Sequence, residues 1–141
     1  AIRRGEVFGL LGSNGAGKTS LFDMLAGVGS PTEGELHVDG EDMRTGAGAG
    51  RARRRIGYCP QGNALLERMT AREHLVLYCQ LKGVPRERVG EVVEAKLQHI
   101  GLQEHARKYA ADLSGGNKRK LMTAMALIGD PPIVLADEPS T

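Results

Sequence analysis

Apolar residues along this chain fall into two patterns, short unbroken runs and spaced stripes. Runs imply buried strands and stripes imply amphipathic helices. Val7-Phe8-Gly9-Leu10-Leu11 is a run ending at a glycine turn and predicts a buried strand. Leu21, Met24 and Leu25 then share one face of a helix predicted over Lys18 to Ala26, with Gly27 as its C-terminal stop. Leu36-His37-Val38 predicts a short strand entering a tight turn at Asp39-Gly40. Arg55 to Tyr58 predicts another strand, broken by Pro60. Thr70-Ala71-Arg72-Glu73 is a capping box, opening a helix that runs to about Leu81 and closes at Gly83 and Pro85. A second helix is predicted from about Glu87 to Ile100, where Val89, Val92, Val93, Leu97 and Ile100 form a stripe that reads as core. Leu121, Ala124, Met125 and Ile128 mark a third, starting near Gly115 and stopped by Gly129 and Pro131. Ile133-Val134-Leu135-Ala136 is the last apolar strand, and it delivers Asp137 and Glu138. No internal repeat is visible. The alternation of strands and helices predicts an α/β fold.

Composition narrows this picture. A chain of 141 residues suffices for one domain with a core, and 40% apolar with 26% charged residues excludes disorder. The net charge of +2 gives no electrostatic support for nucleic-acid binding. No apolar run approaches the ~18 residues of a membrane span, and the basic Ala1-Ile2-Arg3-Arg4 is not followed by an apolar signal region. Cys59 and Cys79 have no metal-ligand spacing, suit a reducing compartment and read as small packing residues. His37, His74, His99 and His105 form no motif and read as surface or packing residues. Arg44 to Arg55 is rich in Gly, Ala and Arg. Such a run could touch phosphates or lipid headgroups, but the favoured reading is a solvated loop. A start without Met and an end at Glu138-Pro139-Ser140-Thr141 lead us to expect a fragment.

Three motifs carry chemistry. Gly12-Ser13-Asn14-Gly15-Ala16-Gly17-Lys18-Thr19 fits G-x-x-x-x-G-K-[ST] between a predicted strand and a predicted helix. Its glycines let successive backbone N–H groups face phosphate oxygens; Lys18 reaches the β- and γ-phosphates, and Thr19 ligates Mg²⁺. Ser20 extends the cradle. At the end of the last strand, Asp137 is placed to hold Mg²⁺, and the turning chain can bring Glu138 toward a γ-phosphate to position or deprotonate water. In Leu113-Ser114-Gly115-Gly116-Asn117, Ser114 is a natural N-cap and the glycines leave the first helical N–H groups open to an anion. The same pentapeptide also fits an ordinary loop-to-helix junction.

The ordered set resembles the nucleotide-binding domain of ATP-binding cassette (ABC) proteins across nearly the whole chain. In that resemblance Gly12–Thr19 is Walker A, Gln61 the Q-loop, Leu113–Asn117 the signature, and Ile133–Asp137 Walker B followed by Glu138. Gly57-Tyr58-Cys59-Pro60-Gln61, Arg72-Glu73-His74 and Leu113 to Leu121 are similar to subfamily A, the lipid exporters, and the Asn117-Lys118-Arg119-Lys120 form to their second cassette.

The resemblance implies an incomplete P-loop NTPase core with a mainly parallel sheet, made of 1–69 and 112–141, and a helical subdomain over 70–111 facing a transporter. It implies ATP and Mg²⁺, with Gln61 contacting metal or attacking water. It implies a second nucleotide-binding domain packed head to tail, whose γ-phosphate is met by Ser114, Gly115, Gly116 and Asn117. Transmembrane partners, the cytoplasmic face of a membrane and lipid cargo follow from it too. Two other classes share these motifs: a soluble ABC ATPase acting on DNA or ribosomes, and a binding-only regulatory cassette. The compact spacing of the motifs argues against the first, and intact Lys18, Asp137 and Glu138 against the second. The family's adenine-stacking aromatic, D-loop and switch histidine have no match here, and Tyr58 is not given the stacking role. The isolated fragment is therefore expected to bind ATP weakly and hydrolyse it negligibly.

Overall fold

The computed structural model describes residues 2–13 and 15–138. The first helix, α1 (Lys18–Leu25), begins after Gly17, whose φ of 83° lets the chain turn sharply into it. It ends as the sequence predicts. Gly27 is left-handed (φ 73°), its N–H reaches Met24 C=O at 3.1 Å, and Val28 N–H reaches Asp23 C=O at 2.8 Å. That pair of bonds is a Schellman stop. Strands β1 (His37–Val38) and β2 (Glu41–Asp42) form an antiparallel hairpin. Asp39 (φ 51°) and Gly40 (φ 82°) are both left-handed, as a two-residue hairpin turn requires.

Residues 46–55 are a helix, α2 (Gly46–Arg55), which corrects the solvated-loop expectation. Three causes override the poor propensity of its glycines. Thr45 caps it by accepting from Gly48 N–H at 3.0 Å. Ala49 and Ala52 are buried with Val38, Met43 and Ile56. Arg53, Arg54 and Arg55 occupy the last turn, where cations favour the helix dipole. Gly48 is required, because a Cβ there would strike the Asp42 carbonyl. The arginines face the hairpin's acids: Arg51 pairs with Glu41 at 2.7 Å and Arg55 with Asp39 at 2.5 Å. Arg44 hydrogen-bonds the Asp42 carboxyl and holds its pKa down at about 2.

Strand β3 (Ile56–Cys59) pairs in parallel with β4 (Ile133–Ala136), in the register Ile56–Ile133 to Cys59–Ala136. Alternation divides the residues between two faces. Tyr58, Ile133 and Leu135 pack around Ile56 toward α2. On the other face Gly57 lies against the helix α5 (Gly115–Ala126), beneath the Ala126 carbonyl.

Two strand expectations are corrected. Residues 7–11 form no strand, and Val7 and Leu11 are 100% and 94% exposed. An apolar run becomes a strand only where a neighbouring edge takes up its backbone hydrogen bonds, and among the described residues no strand pairs with this run. Strand β4 is half-exposed rather than buried, with Val134 46% exposed.

Between these parts lie α3 (Ala71–Leu81) and α4 (Val89–His99), the latter preceded by a short 3-10 turn at Arg86–Arg88. Val93 and Leu97 of the predicted stripe are fully buried, with Val89, Val92 and Ile100 packed beside them. Leu75, Leu102, Leu121 and Ile128 complete this larger core. Lys82, just past α3, donates to the Ile56 carbonyl at 2.6 Å and so ties the helices to β3; burial lowers its pKa.

The capping box forms as expected. Thr70 Oγ1 accepts from Glu73 N–H at 3.2 Å, and the Glu73 carboxylate accepts from Thr70 N–H at 2.7 Å. Those bonds to Thr70 depress the Glu73 pKa. A depressed carboxyl stabilises fully above its unfolded value and loses that contribution as pH falls through the folded one. The box therefore acts at neutral pH and fails in acid, below the ordinary carboxylate range. Thr70→Ala is expected to cost about 1 kcal/mol of stability at pH 7, read from urea unfolding of the full-length protein.

Candidate functional site

Among the described residues, the loop before α1 is exposed at Gly12, Ser13 and Gly15 to Gly17. Gly15 and Gly17 both have φ of 83°, a conformation that other side chains resist. No side chain caps the N-terminus of α1, so its first N–H groups remain available to an anion. Lys18 folds back over the loop and donates to Gly12 C=O at 2.7 Å and Ser13 C=O at 3.0 Å. Its ammonium is thus held against the loop's own carbonyls. Asn14 lies outside the described residues. Ser13, Ala16, Thr19 and Ser20 are all at the surface.

The acidic end of β4 is built differently. Asp137 continues the parallel ladder, its N–H reaching Cys59 C=O at 2.9 Å. Its side chain is 5% exposed, and Oδ2 has no hydrogen-bond partner among the described residues. A buried carboxylate oxygen without a donor is costly unless a cation or water meets it. The chain then turns sharply: Glu138 has φ of 46°. This turn brings its carboxylate to Gln61, whose Nε2 donates to Oε2 at 2.8 Å. Two residues far apart in sequence, Gln61 expected at the metal or attacking water and Glu138 at the γ-phosphate, are thereby joined. Tyr58 packs into the α2-side cluster; its phenol pKa is raised, first by burial and then by the nearby charges of Asp23 and Asp137.

The α5 terminus completes the set. Ser114 caps it, Oγ accepting from Asn117 N–H at 3.3 Å. Ser114, Gly115 and Gly116 are exposed, and a Cβ on either glycine would meet nothing within 4 Å. The chain's own packing therefore does not explain these glycines. Gln61, Asn63, Gly115, Gly116, Lys118 and Arg119 line one open cleft.

The structure thus brings Gln61, Glu138 and Asp137 to one end of the β3–β4 pair, with the α5 terminus beside Gln61. Lys18 and Ser114 each make their hydrogen bonds at home, within separate loops. Sequence reading missed Arg119. Its guanidinium donates to the carbonyls of Pro60 (2.8 Å), Gln61 (3.2 Å), Asp137 (2.8 Å) and Glu138. The only signal was a basic run after the glycines, which also suits a solvated helix face.

Comparison with known proteins gives a consistent result. The family model for ABC transporter matches residues 1–141. The phospholipid-transporting ATPase ABCA3 of Homo sapiens is 52% identical over 141 residues, 100% of this chain and 8% of that protein. The retinal-specific phospholipid-transporting ATPase ABCA4 of Bos taurus is 49% identical over 140 residues, 99% of this chain and 6% of that protein. The chain therefore spans 8% or less of these relatives. Among solved structures, the dimeric post-hydrolysis state of the ATP-binding cassette MJ0796 bound to ADP and Pi superposes with a TM-score of 0.89. It is 28% identical, over 99% of this chain and 63% of that one. The cbiO1 protein of Clostridium perfringens gives a TM-score of 0.83 at 27% identity, over 99% and 56%.

Proposed function

The chain belongs to the ABC transporter family, and from that premise we propose that it binds and hydrolyses ATP to drive lipid movement across a membrane. The observation that carries this reading is the acidic end of β4, where an oxygen of buried Asp137 has no partner among the described residues, beside a Glu138 oriented by Gln61. The lipid cargo is supported by relatives whose names describe phospholipid transport.

The donor set fits Mg²⁺. That ion takes one or two carboxylates and completes its shell with phosphate oxygens and water, and no group of three or more His, Cys, Asp or Glu exists among the described residues to favour another metal. Thr19, Asp137 and Gln61 would hold it. When bound, Mg²⁺ neutralises charge on the β- and γ-phosphates.

The chain's own residues do the rest. Backbone N–H groups from Gly12 to Ser20 cradle the phosphates, and Lys18 exchanges its loop carbonyls for phosphate oxygens. Glu138 accepts a proton from the attacking water as its oxygen bonds to the γ-phosphorus and the bond to the β–γ bridging oxygen breaks. Gln61 orients that water.

The open glycines at 115 and 116 serve a nucleotide from outside the chain. Ser114, Gly115, Gly116 and Asn117 meet the γ-phosphate held by a second cassette packed head to tail. Residues 70–111 form a helical subdomain facing the membrane partners. Its two ends are tied together, Thr70 bridging to Tyr109 and Ala71 N–H reaching Lys108 C=O at 3.1 Å. Residues 1–69 and 112–141 supply the nucleotide core. No helix among the described residues is long and apolar enough to cross a membrane, and the reading places the chain on the cytoplasmic face of spans supplied elsewhere.

The shared site is testable in mixed dimers of the full-length protein reconstituted in phospholipid vesicles. Lys18→Ala and Ser114→Arg on opposite copies leave one composite site intact, so roughly half the ATP hydrolysis and labelled-lipid movement is expected. The same two changes on one copy break both sites and abolish both activities. Equal loss in the two arrangements would show that the signature does not act on its partner's nucleotide.

A further inference from the structure

Arg119 sits on α5 within two turns of the Ser114 cap, and its side chain leaves the helix to bind two other segments. One terminal nitrogen serves the chain just after β3, at Pro60 and Gln61. The other serves the chain just after β4, at Asp137 and Glu138. The guanidinium is planar and rigid, and its nitrogens donate in fixed directions. It therefore sets the separation of these two strand ends as a spacer would. The gap it spans is the one crossed by the hydrogen bond from Gln61 to Glu138. Those four carbonyls lie past the ends of the paired strands, where ladder bonds no longer satisfy them.

We propose that Arg119 is a positioning residue that holds Gln61 and Glu138 in register and passes movement of the α5 terminus to both. It acts through the two residues whose backbone it holds. The inference rests on the reading of Glu138 as the carboxylate that activates water. If an outside phosphate draws the exposed Ser114–Gly116 terminus toward it, Arg119 moves with the helix, and the strand ends follow. Engagement of the second cassette thereby sets the geometry at this chain's own γ-phosphate position.

The test compares Arg119→Lys and Arg119→Ala with the parent in the full-length protein reconstituted in lipid. Lysine keeps the charge but cannot bridge both segments with a rigid fork. In both variants kcat is expected to fall about 10–100-fold, because a small misplacement of reacting groups costs rates of that order. KM for ATP should stay within about threefold. Full activity in Arg119→Lys would overturn the proposal, since charge alone would then suffice. So would a loss confined to melting temperature and ATP affinity, which marks a purely structural role.

Combining Arg119→Lys with Gln61→Ala should cost no more than the worse single change, as for residues that act as a unit; multiplied losses would count against it. Glu138→Gln is measured alongside. If it hydrolyses ATP at the parental rate, the underlying reading fails and this inference with it. If it is inactive while the Arg119 variants keep the parental kcat, only the role of Arg119 is lost.

Discussion

Glu138→Gln is expected to lower ATP hydrolysis by about 10²–10⁴-fold, the range supplied by a positioned general base, while ATP binding survives. The local geometry explains why the two effects separate. Glu138 accepts from Gln61 Nε2 through one carboxylate oxygen, at 2.8 Å. The amide oxygen of the substituted side chain can accept the same bond, and its volume is nearly unchanged. What disappears is the ability to take a proton from water. The phosphate loop, Lys18 and Asp137 are untouched, so nucleotide should still be held and the two cassettes should stay closed on it. Phosphate release and nucleotide retention in the full-length protein measure the two halves of this expectation. Parental turnover in Glu138→Gln would remove Glu138 from the chemistry and turn attention to Gln61.

The second large effect is on stability. Gly57→Ala is expected to cost about 3 kcal/mol, at the upper end for overpacking. The added Cβ would run into the Ala126 carbonyl oxygen, with its carbon at 3.0 Å and Pro131 Cγ at 2.9 Å. The carbonyl belongs to the last residue of α5 and cannot rotate aside as a flexible side chain could. Either β3, which leads into Gln61, or the whole of α5, which carries Gly115, Gly116 and Arg119, must shift. Gly90→Ala is the matched contrast. Gly90 lies exposed within α4 with nothing near its Cβ position, and Ala there should stabilise by about 0.4–1 kcal/mol. Urea unfolding of both variants in the full-length protein decides the matter. Similar small changes in the two would mean that α5 does not press on β3.

Local signals in the sequence were most legible where a segment's own residues determine its shape. The Thr70 capping box, the stripe over α4 and the left-handed glycine after α1 all depend on neighbours within a turn or two. The α2 segment was misread because its helix depends on Ala49 and Ala52 finding the hairpin and Ile56. Composition alone, with its glycines and arginines, argues against a helix there. Residues 7–11 were misread in the opposite direction. Their apolarity suits a strand, but strand structure depends on a paired edge as well as on side chains.

The site divides along the same line. The chain alone determined which groups are available: a phosphate loop around Lys18, an Asp–Glu pair after an apolar strand, Gln61, and a serine-capped terminus with two glycines. Each follows from residues adjacent in sequence, since turns, caps and strand ends are local. Only the tertiary structure decided that Gln61 and Glu138 meet, that Asp137 keeps a buried oxygen with no partner among the described residues, and that Arg119 spans both strand ends. Those outcomes depend on the parallel register of β3 with β4 and on α5 lying against Gly57. A register joins residues far apart in the chain, and no local pattern carries that information.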